Sequence, residues 1–128
     1  ATAIIRMAKE ACALHPDCAI LKAVNGDVDK ITAKTVFDLA KEGDDIASRV
    51  FRRYVKYLTI AINNVVSFLD PDMIVLGGGV SRAGDFLLDA VRELLPKYLM
   101  YPVLPMPEIA LAQLGNDAGI IGAALLGR

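Results

Sequence analysis

One segment limits the fold of this chain more than any other. The apolar run Met73–Leu76 leads directly into three consecutive glycines, Gly77, Gly78 and Gly79. A short, continuous apolar run is typical of a strand that is covered on both faces. Glycines at its end have no side chain, so a ligand can approach the backbone closely. Because ligands of open α/β sheets bind beyond the carboxyl ends of the strands, the segment predicts a nucleotide-binding surface there.

The glycine triplet also has plainer interpretations. A tight turn after the strand would explain it without any ligand. It lacks the G-x-G-x-x-G spacing of a dinucleotide-binding fold, and no Gly-Lys-Ser/Thr follows it as in a phosphate-binding P-loop. Rossmann dehydrogenases and P-loop ATPases are therefore disfavoured.

The spacing of apolar residues predicts several helices and a second strand around this segment. The predicted helices cover 2–14, 32–41, 46–69, 85–95 and 118–126, and the predicted strands cover 73–76 and 108–112. Residues 17–30 are expected to be mostly loop, with at most a turn of helix. A strand–helix–strand unit implies parallel pairing, so the predicted class is α/β, helix-rich with a short parallel strand pair.

Two strands make a poor sheet, because a parallel pair needs cover on both faces. The predicted helices are also too many for two strands. We therefore expect the remaining strands to come from residues before Ala1 or from another chain.

Polar residues and glycines predict where these helices begin and end. Gly43 suits the left-handed conformation that closes many helices. Thr32 is expected to cap the helix at 32–41, Asp44 or Asp45 the long helix, and Asp117 the last helix. Ser81 is expected to cap the helix after the glycine triplet, unless it hydrogen-bonds ribose or water.

Composition excludes several classes of function. The chain has 128 residues, of which 14 are basic and 15 acidic, so no basic excess points to nucleic acid or to an anionic membrane surface. No window approaches the roughly 18 apolar residues of a membrane-spanning helix. We expect a cytoplasmic protein. The basic residues early in the long helix are interpreted as the solvent-exposed face of that helix.

The chain contains two cysteines, Cys12 and Cys18, and one histidine, His15. We expect reduced thiols, since no disulfide framework surrounds the pair, although a disulfide between them stays an alternative. His15 adjoins Pro16 and is interpreted as an exposed loop residue. Zinc is disfavoured because the chain offers too few ligands, so no metal-binding residue is assigned.

Three segments resemble the ROK family of bacterial sugar kinases and related repressors. They are AKEGD at 40–44, LDPDMIVLGGGVS at 69–81 and LGNDAGIIGAALL at 114–126. The likeness extends over essentially the whole chain, and the last two segments together are its most specific part. It implies an actin-like ATPase fold of the ribonuclease H-like class, in which residues 1–128 form part of the C-terminal lobe.

The resemblance also implies a division of roles. Gly77, Gly78 and Gly79 would contact the adenosine of ATP, and Gly43 would border the adenine pocket, unless it only closes its helix. No catalytic residue is assigned, because the family's phosphate-binding loop and its sugar-binding Asn-Asp pair match no segment here. ATP with magnesium and a hexose are expected partners of a longer parent, with zinc confined to that parent, and a homo-oligomer is expected.

Two other functions remain open at this point. ROK-type repressors keep the same sugar-kinase-like body, so this chain could equally be the sugar-responsive body of a repressor. An oligomerisation domain is the third alternative, motivated by the apolar residues Ile60 and Phe68 on the long helix. In the kinase interpretation the 128-residue piece alone is expected to be inactive.

Overall fold

The computed structural model describes residues 1–100, 103, 105–114 and 117–126. The helices are α1 (Thr2–Leu14), α2 (Ala19–Ala23), α3 (Ala33–Lys41), α4 (Asp45–Leu69), α5 (Asp85–Leu94) and α6 (Ala118–Leu126), and the strands are β1 (Met73–Leu76) and β2 (Glu108–Leu111). The chain divides into two compact units, Ala1–Ile60 and Ala61–Arg128.

In the first unit, α1 and α2 both pack against α3. Ile4, Ile20 and Val36 are completely buried there. The ring of Phe37 meets Phe51 and Tyr54 edge-on, with centroids 5.9 and 6.3 Å apart. Aromatic pairs in this geometry stabilise a core beyond the apolar area that they bury.

Two helix starts in this unit confirm the predicted caps. The hydroxyl of Thr32 accepts a hydrogen bond from the Thr35 N–H at 3.1 Å, which begins α3. The carboxylate of Asp44 accepts from the Ala47 N–H at 2.8 Å, so Asp44 caps α4. Each side chain satisfies a donor that the first turn of a helix leaves without a partner.

The stretch 17–30 contains more regular structure than expected. It holds α2 and a 3-10 helix, Val28–Lys30. Ile20 and Val24 are buried, which holds α2 in place. Asn25 and Gly26, with φ of +52° and +80°, form the turn that the Asn25-Gly26-Asp27 signal indicated.

The basic residues of α4 and His15 lie where the sequence predicted. Arg49, Arg52, Arg53 and Lys56 are all exposed. Arg49 pairs with Asp45 at 2.8 Å within α4. His15 is exposed at the end of α1.

In the second unit, β1 and β2 pair in parallel, as predicted, with Met73 opposite Glu108 and Leu76 opposite Leu111. The Ala112 N–H donates to the Leu76 carbonyl at 2.9 Å, which extends the ladder by one residue. Helix α5 packs on β2. The Arg92 guanidinium of α5 donates to the Ile109 carbonyl at 2.8 Å, tying the connecting helix to the strand that it leads into.

The prediction that β1 is covered on both faces is wrong for this chain. Met73 and Val75 are 49% and 55% exposed, whereas Leu76 is buried. Alternate residues of a strand point to the same face, so the bare residues lie on one face of β1. Within the described residues, the strand pair is covered on one face only.

The prediction that Ser81 caps the helix after the glycine triplet is also wrong. Helix α5 begins at Asp85, and its N-cap is Gly84, whose φ is +65°. Ser81 lies within a 3-10 helix, Gly78–Ala83, that sequence periodicity did not reveal. Periodicity is a weak signal for 3-10 segments because they are short.

The end of α4 and helix α6 expose apolar side chains. Phe68 is 87% exposed, whereas Ile60 is half-buried. Ile120, Leu125 and Leu126 of α6 are exposed as well. Among the described residues, no helix combines the length and the apolar character that crossing a membrane requires. The oligomeric state stays a prediction.

The burial of α1 can be tested with two substitutions on that helix. Ile4 is completely buried and Leu14 is 78% exposed. Ile4→Ala should lower the free energy of unfolding by about 2–4 kcal/mol, because it leaves a cavity in the core. Leu14→Ala should change it by less than about 0.5 kcal/mol. Urea unfolding of the two variants measures both values, and equal losses would contradict the assigned core.

Candidate functional site

The glycine triplet leaves the carboxyl end of β1 without side chains of its own. Gly77 follows β1 directly, and Gly78 opens the 3-10 helix with φ +77°, a conformation that residues with side chains rarely adopt. A Cβ built at Gly78 meets no atom within 4 Å. Gly79 is exposed in the same turn. The glycines leave space beside the backbone here, and a side chain at these positions would fill it.

The residue after β2 forms one side of this surface. The parallel register places Gly77 next to Ala112, and a Cβ built at Gly77 would lie 3.5 Å from the Ala112 Cβ. Sequence reasoning ended the second strand at Ala112 but gave it no part in the site. Only the pairing register brings the two residues together, because they lie far apart in the sequence.

The segments that follow β1 and β2 therefore leave the sheet at one edge. These are the two segments that carry the most specific family resemblance. Asn116, in the second of them, lies outside the described residues, and Asp117 is exposed just before α6. The predicted cap by Asp117 stays a prediction.

Gly43 has a complete structural explanation in the first unit. Its φ is +88°. Its N–H donates to the Ala40 carbonyl at 3.2 Å, and the Asp44 N–H donates to the Leu39 carbonyl at 3.0 Å. This pair of bonds is the Schellman motif, which closes a helix with a glycine in the left-handed conformation. A nucleotide contact by Gly43 is not needed to explain the residue, and it stays a prediction.

A cavity of about 210 Å³ occupies the opposite edge of the strand pair. Asn63, Ser67 and Asp70 of the region before β1 line it, together with Leu99, Met100 and Pro105. Ligands of open α/β sheets bind at the carboxyl edge, because strand ends and helix starts present backbone donors there. We therefore place the candidate site at the shallower glycine surface rather than in this cavity.

The described residues assemble no metal site. No group of three or more His, Cys, Asp or Glu side chains converges within that part of the chain. What the glycine surface offers is backbone without side chains. That surface suits a flat, uncharged group such as a nucleoside better than a cation.

Comparison with known proteins identifies the class of fold. The chain superposes on a crystal structure of a ROK family glucokinase from Streptomyces griseus, in complex with glucose and AMPPNP, with a TM-score of 0.86 and 33% identity. The match covers 98% of this chain and 41% of that one. The chain thus has part of an actin-like ATPase fold, as the sequence resemblance implied.

The ROK family itself matches residues 10–128. The chain belongs to the ROK family. It is 40% identical to a glucokinase from Halalkalibacterium halodurans and 35% identical to one from Thermotoga maritima, over 98% and 97% of its length. It is also 36% identical, over 75% of its length, to an N-acetyl-D-glucosamine kinase from Haemophilus influenzae. The chain spans only 38% and 39% of the two glucokinases.

The glycine surface can be tested with a matched pair of substitutions in the full-length parent. Gly78 and Gly26 have φ of +77° and +80°, and a Cβ built at either one meets nothing within 4 Å. Gly78→Val should weaken ATP binding roughly tenfold or more, because its branched side chain fills the proposed adenosine surface. Gly26→Val imposes a similar backbone strain in a turn of the first unit.

Isothermal titration with ATP measures both variants, with circular dichroism to verify their folding. Gly26→Val should bind ATP like the unsubstituted protein. If Gly78→Val folds and keeps its ATP affinity, or if both variants lose it equally, the glycine surface is not the nucleotide site.

Proposed function

We propose that this chain is the adenosine-binding part of the C-terminal lobe of a longer, ATP-dependent sugar kinase. The observation that carries the proposal is the empty space beside Gly78, where an added Cβ would meet no atom within 4 Å, at the edge where β1 and β2 both end. In this view residues 1–128 are one portion of a two-lobed enzyme, and the other lobe and the catalytic residues belong to the rest of the parent.

The relatives support the choice of substrates. Those named above are two glucokinases and an N-acetyl-D-glucosamine kinase, and the superposed crystal structure contains glucose with AMPPNP. These names favour a hexose as acceptor and ATP as donor. They favour a kinase over a repressor body or an oligomerisation domain.

The chemistry assigns this chain a binding role. Phosphoryl transfer to a hydroxyl depends mainly on positioning and on charge neutralisation around the transferred group. The glycine surface would hold the adenosine, so that the phosphate chain extends from a fixed point toward the other lobe. Magnesium would arrive with ATP as part of the substrate, and no residue of this chain is assigned as its ligand.

The absence of side chains at the surface has a physical advantage for this role. A purine and its ribose are flat or nearly so, and they gain apolar contact over their whole face when backbone approaches closely. Only a Cβ added at Gly77 would reach the Ala112 Cβ, at 3.5 Å, and the small side chain of Ala112 keeps this edge low. Larger residues at either position would raise the surface and exclude the nucleoside.

The parent is expected to phosphorylate glucose or N-acetyl-D-glucosamine with ATP, whereas the 128-residue chain alone should have no activity. The reason is that no general base or phosphate-binding loop is assigned to it. ADP release coupled to a reporter enzyme measures both proteins, with a reaction lacking sugar as the control. Sugar-dependent ADP release by the 128-residue chain would contradict the assignment, as would a parent inactive toward every hexose offered.

A further inference from the structure

Two buried thiols in the first unit lie against each other. Cys12 is in α1, and Cys18 directly precedes α2. Both are buried, at 3% and 7% exposure. Their sulfur atoms are 3.2 Å apart, within hydrogen-bonding distance, and the two residues are unbridged. The pair has no part in the proposed nucleotide site.

We propose that Cys12 and Cys18 form an oxidisable pair, which a peroxide converts into a disulfide between α1 and the start of α2. A disulfide brings its sulfurs to about 2.05 Å, so the two atoms need to approach by only slightly more than 1 Å. The residues between them favour this adjustment. His15, Pro16 and Asp17 form an exposed turn, so the backbone there can shift without disturbing the core.

The reaction balances with one peroxide as oxidant. The Cys18 thiol loses its proton, and its sulfur attacks an oxygen of hydrogen peroxide. The O–O bond breaks and the leaving hydroxide takes up that proton, so the products are a Cys18 sulfenic acid and water. The Cys12 sulfur then attacks the sulfenic sulfur. The S–S bond forms, the S–O bond breaks, and the hydroxyl group leaves as water with the Cys12 proton.

The environment of the pair indicates which thiol reacts first and how fast. Burial, assisted by the hydrogen bond with Cys18, raises the pKa of Cys12 to about 12. Cys12 is therefore a thiol at neutral pH and a poor first nucleophile. Cys18 is the more exposed of the two and takes the first step. Burial of both sulfurs makes the reaction slower than that of a surface thiol.

The disulfide would stabilise the first unit. Both α1 and α2 pack on α3, so linking them fixes two of the elements that hold α3 in place. The closed loop is short, and a short loop stabilises a protein less than a long one. We expect oxidation to raise the melting temperature of the parent by a few degrees, and dithiothreitol to reverse the rise.

The test is peptide mapping of the native, full-length parent after hydrogen peroxide treatment and alkylation without reduction. Trypsin cleaves after Lys9 and Lys22 and releases both cysteines in one peptide, residues 10–22. Cysteines elsewhere in the parent do not affect this readout. The oxidised peptide should lack two hydrogens and carry no alkyl group, whereas the untreated peptide should carry two.

Cys18→Ala is the matched control. In this variant, the same peroxide dose should leave Cys12 alkylatable, because the neighbouring thiol that reacts first is gone. The proposal is overturned if the native peptide keeps both alkyl groups at doses that oxidise a small thiol completely. It is equally overturned if the peptide carries sulfinic acid instead of a bridge, or if it is joined to a different peptide.

Discussion

The parallel ladder between β1 and β2 is the constraint on which the candidate site depends. Its register places Leu76 opposite Leu111 and carries on to Ala112, so that the ends of both strands meet at one edge. Without that pairing, the glycine triplet would be a flexible turn with no neighbour. Arg92 reinforces the arrangement from α5, because its guanidinium donates to a carbonyl of β2. The site is thus built mainly from backbone, and side chains serve to hold that backbone in place.

Local chemistry made much of the fold predictable. The hydroxyl of Thr32 and the carboxylate of Asp44 mark helix starts because each satisfies a donor within its own turn. Gly43 marks a helix end because few other residues adopt its φ of +88°. Parallel pairing was predictable because the helix between the two strands returns the chain to the edge where the first strand began, so both strands run in the same direction. Each of these predictions rests on interactions between residues that are close in sequence or on topology alone.

The features that sequence reasoning missed depend on distant contacts. Whether Met73 and Val75 are exposed depends on which other elements pack against β1. The apolar run of the strand does not indicate this. The 3-10 helix Gly78–Ala83 separates Ser81 from α5, so Ser81 is not its N-cap although the start at Asp85 was predicted. Ala112 joins the candidate site only through the strand register. The candidate glycines stood out in the sequence, whereas the empty space beside them required coordinates, and their contact with a nucleotide stays a prediction.

The bare face of β1 has a consequence for the isolated polypeptide. Met73 and Val75 present an apolar stripe on a sheet of two strands, and exposed apolar surface promotes association with other molecules. Self-association of the separated piece would therefore rise steeply with concentration. Co-expression with the rest of the proposed parent should therefore give a less aggregated sample than expression of the 128-residue chain alone.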